Sequence, residues 1–168
     1  MSKSRQTGLV SSSSPTMAAQ RSGGMSTSSK IALEGFVGRW TIQRQIEDRL
    51  SNQPGQFEGQ ADFQVSDGGL LYHEEGWLTL ATAAPMFASR DYRWRAGGGR
   101  IAVDYADGRP FHDFDPDEGA AFHACDPDSY RVTYDFSGWP QAWQSEWVVT
   151  GPRKDYVMTT HFLRVTEG

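Results

Sequence analysis

The chain has 168 residues, 38% hydrophobic and 12% aromatic, with 16 basic against 21 acidic side chains. That is enough apolar material for one domain with a sizeable core, and no stretch approaches the roughly 18 apolar residues of a membrane span. The formal charge of −5 argues against a nucleic-acid footprint, and the single cysteine, Cys125, excludes an internal disulfide. A lone thiol fits a reducing compartment, so the expected location is cytoplasmic.

Residues 1–30 carry Lys3, Arg5, Arg21 and Lys30, no acidic residue and ten serines. Such a segment buries too little to offset its ordering entropy and is expected to be a disordered basic tail, with the folded domain spanning residues 31–168. A transit peptide is an alternative, although the arginines are sparse and no amphipathic period is visible. So is a start upstream of the true one, with Met17 or Met25 as the beginning, or a cloning remnant. Without those four cations, 12 basic residues face 21 acidic ones, a formal −9 that is the wrong sign for DNA or RNA.

From Pro54 to Pro152, turn signals punctuate runs of alternating apolar and polar residues: Pro54-Gly55, Asp67-Gly68-Gly69, Ala84-Pro85, Gly97-Gly98-Gly99, Asp107-Gly108, Glu118-Gly119, Asp126-Pro127, Ser137-Gly138 and Gly151-Pro152. The spacing leaves no room for crossover helices, which predicts an all-β, antiparallel up-and-down barrel of about 8–10 strands. The one helix expected is a short one near Lys30 to Phe36, closing an end of the barrel.

Strand parity sorts the faces. Trp40, Ile42, Arg44 and Ile46 share the inner face of the first strand, and Phe57, Gly59, Ala61, Phe63 and Val65 that of the second. Next come Leu70, Tyr72, Glu74, Gly76 and Leu78, then Ala88, Arg90, Tyr92 and Trp94, then Ile101, Val103 and Tyr105, then a short strand about Phe111 to Phe114. Later strands present Tyr130, Val132, Tyr134 and Phe136, then Trp143, Ser145, Trp147 and Val149. The last strand, about 153 to 164, has two plausible inner faces. Trp139, Trp143 and Trp147 fall four apart, as on a helix, but four is also an even spacing and Val148-Val149-Thr150 is β-prone, which favours a strand.

Gly38-Arg39-Trp40 at the start of the first strand resembles the lipocalin and calycin pattern. The resemblance implies that Trp40 plugs the barrel base and that a late basic residue packs across it, Arg164 by position or Arg153 as second choice. Further runs resemble a bacterial and fungal family of small calycin-like barrels that carries a domain-of-unknown-function label. They are Phe36 to Trp40, Leu71-Tyr72-His73-Glu74-Glu75-Gly76, Ala88 to Trp94, Asp107 to His112, His123-Ala124-Cys125-Asp126, Tyr134-Asp135-Phe136 and Gly151-Pro152-Arg153-Lys154-Asp155-Tyr156. The resemblance covers about residues 34 to 164 and implies a fold, not an activity. Unlike secreted lipocalins, the chain shows no signal peptide or disulfide.

Arg44, Glu74, Arg90, Tyr92, Tyr130 and Tyr134 are in phase with apolar neighbours and so are expected to face inward. Buried charges must be paired or meet a ligand. Glu74 can pair with Arg90 or with Arg44, and an arginine left over can hold a carboxylate or phosphate. Lys154 is the only lysine after Lys30, against 11 arginines. His112, His123 and Cys125 have metal-ligand chemistry, but there is no paired Cys-x-x-Cys or His-x-x-x-His, and Asp113-x-Asp115-x-Asp117 lacks the Gly and Glu of a calcium loop.

The expected ligand set is therefore Arg44, Glu74, Arg90, Tyr92, His123, Tyr130, Tyr134 and Lys154, with no metal, cofactor, nucleic acid or membrane. The leading expectation is a barrel that binds a small amphipathic or anionic molecule. One alternative is a cofactor-independent enzyme in which Glu74, Tyr134 and Arg90 supply acid-base and anion-stabilising groups. Another is an interaction module presenting Trp77 or Trp139 on an outer face.

Overall fold

The computed structural model describes residues 31–166. The expectations for residues 1–30, disorder included, lie outside the described residues. A 3-10 turn, Leu33–Phe36, leads into ten antiparallel strands. These are β1 (Gly38–Asp48), β2 (Gln53–Ser66), β3 (Gly69–Leu80), β4 (Met86–Gly97), β5 (Arg100–Tyr105), β6 (Pro110–Phe114), β7 (Ala120–Cys125), β8 (Asp128–Asp135), β9 (Ala142–Gly151) and β10 (Lys154–Arg164). Among the described residues no helix is long and apolar enough to cross a membrane.

Each strand pairs with the next, and β1 also pairs with β10, so the sheet runs β6-β5-β4-β3-β2-β1-β10-β9-β8-β7. The barrel is nearly closed: β6 and β7 are the two edges, side by side without a hydrogen-bonded ladder. Pro110, which has no N–H to offer a ladder, sits at the start of edge strand β6.

Parity predicts the core well. Trp40, Ile42, Phe57, Ala61, Phe63, Leu70, Tyr72, Trp94, Ile101, Val103, Val132 and Val149 are all buried. β10 settles on its even face, with Met158, Thr160 and Phe162 buried, and β9 is a strand with Trp143 and Trp147 on one side. Val65 is a correction: it is 75% exposed. β1 begins at Gly38, which pairs with Phe63, so the sheet beside β2 stops two residues short of Val65 and nothing covers it.

The barrel base is an aromatic plug. Trp40 is fully buried, and its Nε1–H donates to the Phe36 carbonyl at 2.9 Å. The Arg164 guanidinium lies 4.2 Å over the Trp40 ring and donates to the carbonyls of Gly35, Val37 and Pro140. One cation thus ties the 3-10 turn, the start of β1 and the β8–β9 connection together. Gly38 adopts φ +124°, a conformation that L side chains avoid, which explains the glycine two residues before the tryptophan. Arg153 lies at the opposite end, in the β9–β10 turn. Trp139 is half-buried against Phe36 and Trp40, at ring separations of 4.6 and 6.0 Å, rather than standing free on an outer face.

Trp40→Ala should cost about 3–5 kcal/mol in a denaturant unfolding curve, as expected for a large side chain removed from a closed core. Arg164→Ala should cost less, through the lost cation–π contact and carbonyl bonds. A Trp40→Ala cost under about 1 kcal/mol would show that the plug does not hold the base.

Candidate functional site

Above the plug, the inward faces of β1, β3, β4 and β10 change from apolar to polar. Register places Glu74 opposite Arg90 on β4, yet its carboxylate turns the other way. Both terminal Arg44 nitrogens donate to it, Nη1 to Oε1 at 2.9 Å and Nη2 to Oε2 at 2.7 Å, and the Tyr72 hydroxyl donates to Oε2 at 2.5 Å. Arg44 stands two strands away, on the far side of β2.

It reaches across because the β2 residues between them are small: Ala61 is opposite Glu74 and Gly59 lies opposite Gly76. A Cβ at Gly59 or Gly76 would collide with the backbone of the other strand, so both positions must be glycine for the strands to approach this closely. The Arg44 Nε–H completes the arrangement by donating to Thr160 Oγ1 at 2.8 Å, and its guanidinium lies 5.0 Å from the Phe57 ring centre.

Burial alone would raise the Glu74 pKa, but the Arg44 charge and its hydrogen bonds, with that from Tyr72, outweigh it and hold the carboxyl below its usual range. Burial likewise works against the Arg44 charge, and Glu74 more than compensates. Tyr72 is pushed well above its usual pKa by burial and then by the neighbouring Glu74 charge. The pair is ionised, and the tyrosine is neutral.

Arg90 is left over. Its side chain is exposed at the barrel mouth, and Nη1 donates to the Tyr92 hydroxyl at 3.4 Å. Among the described residues no carboxylate lies within ion-pair distance of it, whereas Arg44 is fully engaged.

Deeper in, the His112 Nε2 and the Tyr134 hydroxyl are 2.8 Å apart. Burial, and then the nearby His123, push the His112 pKa down to about 4, so the ring is neutral. Arg44, Glu74, Arg90, Tyr92, Tyr134 and His112, with Trp94, Trp143, Ser145, Trp147 and Thr160 among others, line one cavity of about 30 Å³. That is room for a water molecule or a single functional group, far below the roughly 300–1,000 Å³ of a typical ligand pocket.

His123, Tyr130 and Lys154 do not line this cavity. They form a second cluster at the mouth, where Lys154 Nζ sits 3.1 Å from an Asp128 carboxylate oxygen and donates to the Tyr130 hydroxyl at 3.2 Å. The Asp128 bond and then the Tyr130 bond raise the Lys154 pKa, which keeps it a cation rather than a nucleophile. Burial, and then the neighbouring Tyr130, raise the Tyr156 pKa above its usual value, while the Lys154 and Arg90 charges oppose the rise. Cys125 is exposed, and among the described residues no three His, Cys, Asp or Glu side chains converge where a metal ion could sit.

Tyr72 and Thr160 are site residues that sequence reasoning did not select. Tyr72 had a visible signal, two residues before Glu74 on the same face. Thr160 had none, because β10 carries a threonine at both parities, Thr159 and Thr160.

Residues 36–164 match a family of unknown function, DUF6314, and the chain belongs to that family. No functionally curated protein matches it by sequence. Among solved structures it is similar to an S-type phycobiliprotein lyase from Guillardia theta, with TM-score 0.51 and 11% identity over 81% of this chain and 92% of that one. It is also similar to a protein of unknown function from the DUF3598 family of Nostoc punctiforme, with TM-score 0.53 and 11% identity over 80% of this chain. The match spans about half of that second protein, 49% of its length. Identities this low establish a shared barrel fold and nothing finer.

Arg44→Met should lower stability by about 3–5 kcal/mol, because it leaves Glu74 buried and unpaired, and adding Glu74→Gln should recover a large part of the loss. The pH dependence follows the depressed Glu74 pKa. The pair's stabilisation is complete above the ordinary value of 4.5 and is lost as pH falls through the lower folded value. Denaturant curves at several pH values should therefore show an acid limb in the wild type that Glu74→Gln reduces.

Proposed function

We propose that the barrel binds a small anionic molecule, with the charged group on Arg90 and the rest of the molecule in the mouth among Tyr92, Tyr130, Trp147 and Tyr156. The contrast between the two guanidiniums that line the cavity carries this reading. Arg44 is spent on Glu74, whereas Arg90 faces the same cavity with only a long bond to a tyrosine among the described residues. A guanidinium in that setting offers two parallel donors to a carboxylate or phosphate. Lys154 adds positive charge at the rim, partly offset by Asp128. His123, with its ring 6.0 Å from Tyr130, adds a further polar contact there.

A free volume this small has room for one functional group, which supports a ligand whose body lies against the mouth aromatics. One protein of this fold is a phycobiliprotein lyase, so the architecture is compatible with work on or around a small molecule. Catalysis by Glu74 is the weaker reading, because its carboxylate already accepts three hydrogen bonds and is held ionised. Tyr134 is a poor proton donor as well, since burial raises its pKa far above the usual value.

A separate observation favours a protein contact as the second reading. Trp77 and Phe87 face each other on the outer surface of β3 and β4, 5.6 Å apart and 54% and 56% exposed.

The test is an NMR titration of isotope-labelled protein with hydrocinnamate, an aryl carboxylate. Arg90→Met should weaken binding at least about tenfold while the thermal midpoint stays within a few degrees of wild type. Unchanged affinity with lost stability would assign Arg90 to the fold and remove it from the ligand site.

A further inference from the structure

The inner end of the cavity carries a second, independent signal. Trp94, Trp143 and His112 are 4%, 4% and 7% exposed, and all three line the cavity. The Nε1–H of each indole and the Nδ1 of His112 are buried without a hydrogen-bond partner among the described residues. The fold satisfies a tryptophan where its role is structural, as the Trp40 bond to the Phe36 carbonyl shows. Three orphaned nitrogens on residues that line one small space are therefore a concentrated exception.

The chemistry restricts the occupant. An indole N–H only donates, so whatever sits there must offer lone pairs, and a cation is excluded. Neither indole carries a charge and His112 is neutral. The surrounding rings, with Trp94 and Trp143 6.0 Å apart and each within 6.4 Å of Tyr134, would strip water from an anion and carry no countercharge of their own, so an anionic group is better held at Arg90, on the same cavity. When Tyr134 donates to the His112 Nε2, the His112 Nδ1 carries the proton and becomes a third donor.

We infer that this inner end is a subsite for a neutral carbonyl oxygen of the ligand, held by hydrogen bonds from the Trp94 and Trp143 indoles. The volume of about 30 Å³ fits one such group. The inference rests on the anion-binding reading of Arg90 and sharpens it: the ligand class becomes a carboxylate that also bears a ketone, amide or ester carbonyl.

Three probes separate the two claims. Hydrocinnamate offers a ring and a carboxylate, benzylacetone a ring and a ketone, and phenylpyruvate all three. Proton–nitrogen NMR of the indole N–H groups should show the Trp94 and Trp143 signals moving with phenylpyruvate and benzylacetone but not with hydrocinnamate. By calorimetry, phenylpyruvate should bind at least about tenfold more tightly than hydrocinnamate. Trp94→Phe or Trp143→Phe, which keep a ring and remove the donor, should erase most of that advantage.

If benzylacetone leaves both indole signals in place and phenylpyruvate gains nothing over hydrocinnamate, the carbonyl subsite is overturned while Arg90-dependent hydrocinnamate binding survives. If benzylacetone moves the indole signals and neither carboxylate depends on Arg90, the subsite stands and the anion reading falls. Should a phenylalanine variant fail to fold, the indole signals of the wild-type protein still decide the matter.

Discussion

The ion pair between Arg44 and Glu74 organises the interior of this barrel. Two charges at the centre of a sheet are tolerable only if each satisfies the other, and here the carboxylate receives both arms of one guanidinium plus a tyrosine hydroxyl. Three features of the chain serve that geometry: the facing glycines Gly59 and Gly76, the small Ala61 beside Glu74, and Thr160 behind Arg44. Because Glu74 is taken, Arg90, its register partner on the next strand, is released toward the mouth. The functional reading follows from that asymmetry.

The two ends of the barrel do different work. At the base, Phe36, Trp40, Trp139 and Arg164 close the fold with stacked rings and a cation that binds three carbonyls. No potential ligand contact is needed there. Toward the mouth the walls hold tyrosines, Trp147, Arg90 and Lys154, which offer hydrogen bonds and charge at the edge of a small cavity. Apolar packing fixes the shape at one end, and at the other it yields to groups that can exchange partners.

Period-two patterning made most of the fold legible, because an inward-facing strand residue must keep phase with its neighbours. It also marked Arg44, Glu74, Arg90, Tyr92 and Tyr134, which line the cavity described above. The choice of partner for Glu74 was not legible. Register sets backbone neighbours, whereas the side-chain contact depended on the lack of bulk on β2. Parity failed at Val65, where the adjacent strand had not yet begun. At β6 alternation does not apply, because an irregularity opposite Val103 and Asp104 lets both Phe111 and His112 be buried. That irregularity brings His112 to the cavity, and the sequence weighed it only as a metal ligand. His123, Tyr130 and Lys154 were grouped with the interior set by residue type and phase, but they sit one layer higher, at the mouth.

A carbon-detected NMR titration of the Glu74 side-chain carboxyl tests the central claim most directly. If Arg44 is the true partner, the midpoint lies below the ordinary 4.5, rises strongly in Arg44→Met and rises less in Arg90→Met, where only a more distant charge is lost. A midpoint at or above that value, or one that rises more with Arg90→Met than with Arg44→Met, would contradict the account, because Arg90 would then be the structural partner of Glu74 and no guanidinium would be left for a ligand.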